Sequence, residues 1–231
     1  MNPKVIVSYD DSRNDRDALA LGRRFRDAGA TLALAYVRHG ADGGSSASLE
    51  EREANALLER GAQALGTPDV PRHVVTHAST GAGLRALAAR ESADVVVFGS
   101  DYRTAAGTVR PGVSAQRLLS GGRSAVAIAP ADLATAAATG FARIGVLSDG
   151  SDLAAEHTAR SLADAAGGLV VADPREGSLD LLVIGSRPEA EIGRVMLSAV
   201  TEYAIDLSRC PVLVVARGSA VHFAAPVLAS T

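Results

Sequence analysis

The chain is poor in several residue types: it has one cysteine, one lysine, two methionines and no tryptophan, and aromatic residues make up 3% of its 231 positions. A single thiol excludes an intrachain disulfide and any multi-cysteine metal site. Cys210 precedes Pro211 at the start of an apolar run, with no base beside it in sequence, which is the setting of a buried, inert thiol rather than a nucleophile. With so few rings, the cores must be built from Ala, Val, Leu and Ile, and a 47% hydrophobic content supplies enough of them. Apart from Lys4 the basic side chains are arginines, which together with the alanine richness reads as genomic composition bias. A formal net charge of −3 gives no global attraction to nucleic acid or to an anionic membrane. No apolar run approaches membrane-spanning length, and the amino terminus enters a strand without a signal-peptide pattern, so a soluble cytoplasmic protein is expected.

An internal repeat dominates what is present. Asp94-Val95-Val96-Val97-Phe98-Gly99-Ser100 recurs as Asp180-Leu181-Leu182-Val183-Ile184-Gly185-Ser186, 86 positions later. In the same register Gly107 meets Gly193, and the run Val126 to Ala129 meets Val212 to Val215. Upstream of each copy, Val5-Ile6-Val7-Ser8-Tyr9-Asp10-Asp11-Ser12 resembles Ile144-Gly145-Val146-Leu147-Ser148-Asp149-Gly150-Ser151. Two related α/β units in tandem follow.

The first unit reads as strands at 4–9, 31–37, 73–77, 94–98 and 125–129, with helices after the first strand and at 48–65, 81–91 and 113–120. Ala18, Leu19, Leu21, Gly22 and Phe25 form the apolar side of the first helix, which Asp or Ser of Asp10-Asp11-Ser12 would cap and Gly29 would end. A glycine- and serine-rich loop lies at 40–46. This alternation predicts a doubly wound, Rossmann-like parallel sheet. The second unit is compressed: Asp10 to Gly99 is 89 positions, whereas Asp149 to Gly185 is 36, room for one helix near 152–165 and a strand at 169–172. The expected organisation is a complete domain at 1–130, a linker at 131–140, a truncated domain at 141–218 that leans on the first, and a tail at 219–231. In the tail Val221, Phe223, Val227 and Leu228 would form an edge strand.

In such a sheet ligands bind beyond the carboxyl ends of the strands, where the strand order reverses. Asp10 and Gly99 end two strands there. A carboxylate accepts hydrogen bonds from a ribose or base, glycine lets backbone amides approach a phosphate, and the start of the 113–120 helix favours an anion. His73 and His77 share one face of a strand, but no carboxylate or third ligand accompanies them at metal-binding spacing. Asp149-Gly150-Ser151 reads as capping and turn chemistry. Ser100 and Ser186 lack the Gly-x-Ser-x-Gly elbow of a hydrolase.

The strand-1 Asp followed by Ser, the strand-Gly-Ser and the last strand introduced by Cys-Pro resemble the universal stress protein family over most of the chain, in a tandem arrangement. The resemblance implies a fold like the adenine nucleotide alpha hydrolases, and a nucleotide loop of Gly, two residues, Gly, nine residues, Gly and Ser or Thr. From Gly99 the sequence instead has Tyr102, then Gly112 as required, then Val113 with Ser114 one place late. From Gly185 it has Pro188, Ser198 and Ala199. Tyr102 restricts φ and puts a ring where backbone would meet phosphate, and Pro188 removes a donor, so the second loop is not expected to hold a nucleotide. Arg103 and Arg110 would replace lost amide contacts with charge-assisted bonds.

The candidate binding set is Asp10, Val37, Gly99, Ser100, Arg103, Gly112 and Ser114, for ATP or AMP in the first unit only, with no catalytic residue and no metal. The expected function is a noncatalytic stress-response regulator. Alternatives are a nucleotide-independent interaction scaffold and a slow ATPase using the first cleft. The two units are expected to pair through 125–129 and 212–215, since exposed apolar edges associate. A homodimer and an unidentified protein partner remain open, with no nucleic acid or membrane partner.

Overall fold

A computed structural model describes residues 2–39, 45–136, 140–174 and 178–224. The first unit comprises β1 (Lys4–Ser8), α1 (Asp15–Asp27), β2 (Thr31–Arg38), α2 (Ser45–Leu65), β3 (Arg72–Thr76), α3 (Thr80–Arg90), β4 (Val95–Gly99), α4 (Val113–Leu119) and β5 (Ala125–Ala129). After a short 3-10 turn at Leu133–Thr135 come β6 (Arg143–Leu147), α5 (Ala154–Ala166), β7 (Leu169–Val170), β8 (Leu181–Ile184), α6 (Ala199–Leu207) and β9 (Val212–Val214). The fold is α/β, as the alternation of apolar runs predicts.

All strands join one nine-stranded sheet in the order β3-β2-β1-β4-β5-β9-β8-β6-β7. Every pairing is parallel except β5 with β9. That antiparallel pairing sets Ala127 opposite Leu213, with Val126 opposite Val214 and Ile128 opposite Val212. Ala127 and Leu213 are themselves one repeat apart, so the two units meet about a local two-fold axis. The first strands are anchored alike: Lys4 N donates to Asp94 Oδ2 (2.7 Å) and Arg143 N to Asp180 Oδ2 (2.8 Å).

Strand side chains alternate between two cores. Val5, Val7, Val95, Val97, Val183 and Leu213 face a layer made by α1, α2 and α5; Ile6, Val96, Ile128, Leu182 and Val212 face α3, α4 and α6. Continuous apolar runs therefore mark strands covered on both faces. Each large aliphatic side chain so buried contributes about 1.5–3 kcal/mol, and both cores run through the two units without a break. Among the described residues the second unit has no counterpart of α2, β3 or α3; α5 covers one of its faces, and α6 together with the β7–β8 connector, whose Pro174 and Leu179 sit against Gly145, covers the other.

The tail departs from expectation. Residues 219–224 form no strand and instead pack over α5, where Val221 N donates to Thr158 Oγ1 (2.9 Å) and Phe223 N to Ser161 Oγ (2.6 Å). Phe223 stacks on Phe25 at 5.8 Å between centroids, and Phe141 meets Phe25 at 5.1 Å. This three-ring cluster brings together α1, the start of β6 and the tail, and each aromatic pair adds about 0.5–1.5 kcal/mol beyond its buried area. Val227 and Leu228, like the loop at 40–44, lie outside the described residues.

Candidate functional site

The strand order reverses between β1 and β4, because β1 leads outward to β2 while β4 leads the other way to β5. A cleft of about 290 Å³ opens at their carboxyl ends. Asp10, Gly99, Ser100, Gly112 and Ser114 line it, joined by Ser8, Ser12, Asn14, Asp15, Thr80 and Tyr102. Five of the seven candidates thus come together.

The other two stand apart. Val37 is buried in the core beneath α3, its methyls close to Gly83, and does not line the cleft. Position 37 falls on the α3 side of β2, where strand alternation turns its side chain into the sheet's own packing. Arg103 is exposed on the loop with its guanidinium 4.9 Å from the Tyr102 ring centre, a cation–π contact at the cleft mouth. Arg110 is also exposed and enters the site's architecture through its backbone.

Ser100 holds the loop in place. It is buried, its hydroxyl donates to Ala129 O (2.7 Å), and it accepts from Arg110 N (3.2 Å). Ser186 does the same toward Val215 O (2.7 Å) and from Met196 N (3.2 Å). The hydroxyl is therefore engaged within the chain in both units. Gly99 is likewise fixed by packing, since a Cβ there would stand 2.2 Å from the backbone oxygen of Asn14. Gly112 is different. Its φ of −72° suits any residue, and a Cβ would meet nothing within 4 Å. Neither the conformation nor the packing of the chain requires a glycine there, and the open space it borders is the cleft.

Asp10 does not cap α1: the N-cap is Asn14, without a side-chain cap bond, and Asp10 Oδ1 instead accepts from Ser12 N (3.0 Å) in an Asx turn. Asn14 donates its side-chain amide to Ser100 O, tying α1 to the loop. Asp15, which the sequence pattern did not bring forward, sits in the first turn of α1, 8% exposed, and accepts hydrogen bonds from Asp10 N and Ser12 N. Burial, and after it the negative charge of Asp10, pushes its carboxyl up to about 8. The spacing from Asp10 to Asp15 was the available signal, a second acid one helical turn behind the strand-1 acid. Nearby, Arg60 donates to Asp11 Oδ2 (2.8 Å) and Tyr9 to Asp11 Oδ1 (2.8 Å), holding the Asp11 carboxyl below its ordinary range.

The cleft interior is thus lined by the Asp10 and Asp15 carboxyl groups, hydroxyls and backbone, with the arginines outside. It can accept hydrogen bonds from a base or ribose. A phosphate chain would have to run toward the mouth, where Gly112, Ser114 and Arg103 lie. The helix that follows, α4, has seven residues, short of the sequence expectation. In the second unit the positions of Asn14, Asp15, Tyr102, Gly112, Val113 and Ser114 hold Leu153, Ala154, Pro188, Ser198, Ala199 and Val200. Of the histidines, His77 Nδ1 accepts from Ser79 N and His73 is on the edge strand β3, whereas His39 Nε2 is hydrogen-bonded to Thr80 Oγ1 of the cleft wall (3.0 Å).

Residues 171–216 match the model of the Universal stress protein family. No curated protein matches the chain. Among solved structures, a universal stress protein from Archaeoglobus fulgidus DSM 4304 is similar over 93% of this chain and 96% of its own, with TM-score 0.67 and 18% identity. A putative universal stress protein from Pseudomonas aeruginosa UCBPP-PA14 is similar over 94% of each chain, with TM-score 0.62 and 13% identity. A universal stress protein in complex with cAMP overlaps 42% of this chain and 75% of its own at TM-score 0.36 and 22% identity, too small a likeness to place a ligand here.

Proposed function

We propose that this chain, which has the fold of the universal stress proteins, is a noncatalytic regulator whose first unit takes one adenine nucleotide. The observation that carries the reading is Gly112: a glycine that the fold does not require, bordering the cleft at the β1/β4 switch point, with Asp10 and Ser114 beside it. A backbone without a side chain at that place admits a ligand that any larger residue would exclude. What supports the noncatalytic reading is Ser100, whose hydroxyl is engaged with Ala129 O and Arg110 N and so does not serve as a nucleophile. The competing slow ATPase would have to draw its base from the Asp10–Asp15 pair.

Calorimetric titration of the nucleotide-stripped chain with ATP, ADP and AMP tests this. About one site per chain is expected, lost in Asp10→Ala and in Gly112→Val, while Gly112→Val stays folded, its side chain entering open space and the poorer N-cap of α4 costing about 1 kcal/mol. No heat and no thermal shift at millimolar nucleotide would end the nucleotide reading. Release of phosphate by the bound complex, abolished in Asp15→Asn, would replace the noncatalytic reading with the ATPase.

A further inference from the structure

The cleft at the β1/β4 switch point holds acids and no base. Among the described residues that line it, Asp10 and Asp15 carry carboxyl groups and none is an arginine, lysine or histidine. The two carboxyls share one donor: Ser12 N lies 3.0 Å from Asp10 Oδ1 and 3.2 Å from Asp15 Oδ2. Two acceptors on a single N–H stand close together, and Asp15 is buried, so solvent screens their mutual repulsion poorly.

The charges around this pair are engaged elsewhere. From α2, Arg60 bonds Asp11 (2.8 Å), which also accepts from Tyr9 at the end of β1. On α1, Arg13 reaches Asp132 (3.4 Å), Arg16 is exposed, and Asp17 accepts from Asp132 N and Ala134 N. In the loop after β4, Arg103 lies over the Tyr102 ring, Arg110 is exposed, and Asp101 accepts from Arg103 N. From α3 and α4 the cleft receives Thr80 and Ser114, with His39 bonded to Thr80.

That loop also has few donors left for a chain of phosphates. Asp101 N donates to Arg110 O (2.8 Å), Thr104 N to Asp101 O (2.9 Å), Gly107 N to Ala131 O (2.8 Å) and Thr108 N to Ala105 O (3.1 Å). Arg103 N and Arg110 N are bound by the Asp101 carboxyl and the Ser100 hydroxyl, and Pro111 has no N–H. What the cleft offers is acceptors, which suit the amino group of a base and the hydroxyls of a ribose.

We infer that the cleft selects its adenine ligand by charge, taking the nucleoside or its monophosphate in preference to the triphosphate, with the Asp10–Asp15 pair as the selecting element. The inference rests on the nucleotide reading above. Each further phosphate brings negative charge toward a lining whose own charge is negative, and unpaired like charge is how a site rejects a near relative of its ligand. The pair makes the rejection depend on pH. A proton held on it leaves one negative charge in the cleft, and loss of that proton as pH passes about 8 leaves two.

The nucleotide-stripped full chain is titrated calorimetrically with adenosine, AMP, ADP and ATP in magnesium-free buffer at about pH 7 and about pH 9, both above the second ionisation of a phosphate ester near about 6, so that ligand charge changes little. At the higher pH adenosine and AMP are expected to bind about tenfold tighter than ATP, with ADP between. From the lower to the higher pH the affinity for ATP should fall about tenfold and that for adenosine less than about threefold. Asp15→Asn should abolish the fall for ATP; it keeps an oxygen to accept from Asp10 N and Ser12 N, circular dichroism checks its fold, and the wild-type comparison stands without it. ATP binding as tightly as adenosine at the higher pH overturns the inference and leaves the nucleotide reading in place, as does a fall for ATP that survives Asp15→Asn. Absence of heat with all four ligands at both pH values ends the nucleotide reading and this inference with it.

Discussion

Gly99 and Gly185 occupy the same place in the two units, yet alanine at each should behave very differently. A methyl group at 99 would stand 2.2 Å from the oxygen and 2.8 Å from the carbonyl carbon of Asn14, far inside the 3.5–4.0 Å at which carbon contacts are favourable. The obstacle is backbone at the start of α1, tied to the loop by the Asn14–Ser100 bond, so relief requires α1 to move off β4. At 185 the nearest atom is Ser148 Cβ at 3.3 Å, a side chain that yields by a few tenths of an ångström. Neither glycine has a left-handed φ, so alanine is conformationally allowed at both and each variant gains about 0.4–1 kcal/mol from a less flexible unfolded chain. Overpacking costs about 1–3 kcal/mol, and more against backbone. Gly99→Ala should therefore lose about 2–3 kcal/mol, and Gly185→Ala should fall within about 1 kcal/mol of wild type.

At about 2–4 °C per kcal/mol for a chain of this size, the first variant should melt roughly 4–12 °C lower and the second nearly unchanged. Thermal unfolding followed by circular dichroism, in the absence of nucleotide and checked by urea titration, measures both. Equal shifts, or a Gly99→Ala protein as stable as wild type, would refute the reasoning. The strand-Gly-Ser motif would then owe its glycine to a ligand rather than to the approach of α1.

Ser100→Ala and Ser186→Ala each strand a buried carbonyl and a loop amide, so each should cost about 1–3 kcal/mol in urea unfolding, and to a similar degree; a large difference would mean that the two networks are not equivalent. Asp15 titrates near 8 when folded against 3.8 when unfolded, so folding takes up a proton between those values and this group's contribution to stability is lost as pH rises from about 4 to about 8. Asp15→Asn should flatten that slope and raise the urea midpoint at pH 8 while leaving it nearly unchanged at pH 4; a retained slope would assign it to another group. Burial, with the charge of Asp180 after it, pushes the Cys210 thiol up to about 12, so a disulfide reagent should label no thiol in the native chain at pH 8 and one per chain in urea. Rapid native labelling would contradict its burial.

What the sequence disclosed was whatever depends on neighbours in the chain. The run Val95 to Phe98 is apolar without a break because both faces of β4 are covered, and the helix pattern of Ala18, Leu19, Leu21 and Phe25 follows from one-sided packing on the sheet. What it hid depends on contacts far apart in sequence. Phe223 is far along the chain from Phe25, and no local pattern distinguishes a strand-forming tail from one that seals a helix with its rings. Asp15 reads locally as an acid favourable to a helix N-terminus. Only the approach of the β1 end and the loop after β4 buries it beside Asp10. Val37 carries the same ambiguity, since which face of β2 its side chain joins is decided by α3.

The two loops after β4 and β8 carry the argument about function one step further. Their sequences, Asp101 to Pro111 and Arg187 to Leu197, share Gly107 with Gly193 and the buried Val109 with Val195 and are otherwise different, yet their backbone bonds correspond. Asp101 N donates to Arg110 O as Arg187 N does to Met196 O; Gly107 N donates to Ala131 O as Gly193 N does to Arg217 O. Loop shape therefore follows from this shared set of backbone bonds, which forms with Tyr102 in one loop and Pro188 at the equivalent place in the other. Information about a ligand must reside where the shape is shared and the residues differ: Asp15 against Ala154, Gly112 against Ser198, Ser114 against Val200. At each of these the first unit keeps a polar or empty position facing the cleft, and the second has filled, neutralised or greased it. The first unit thus has an open, polar cleft at its switch point, whereas the equivalent positions of the second hold a methyl group at Ala154, a capping hydroxyl at Ser198 and an apolar side chain at Val200.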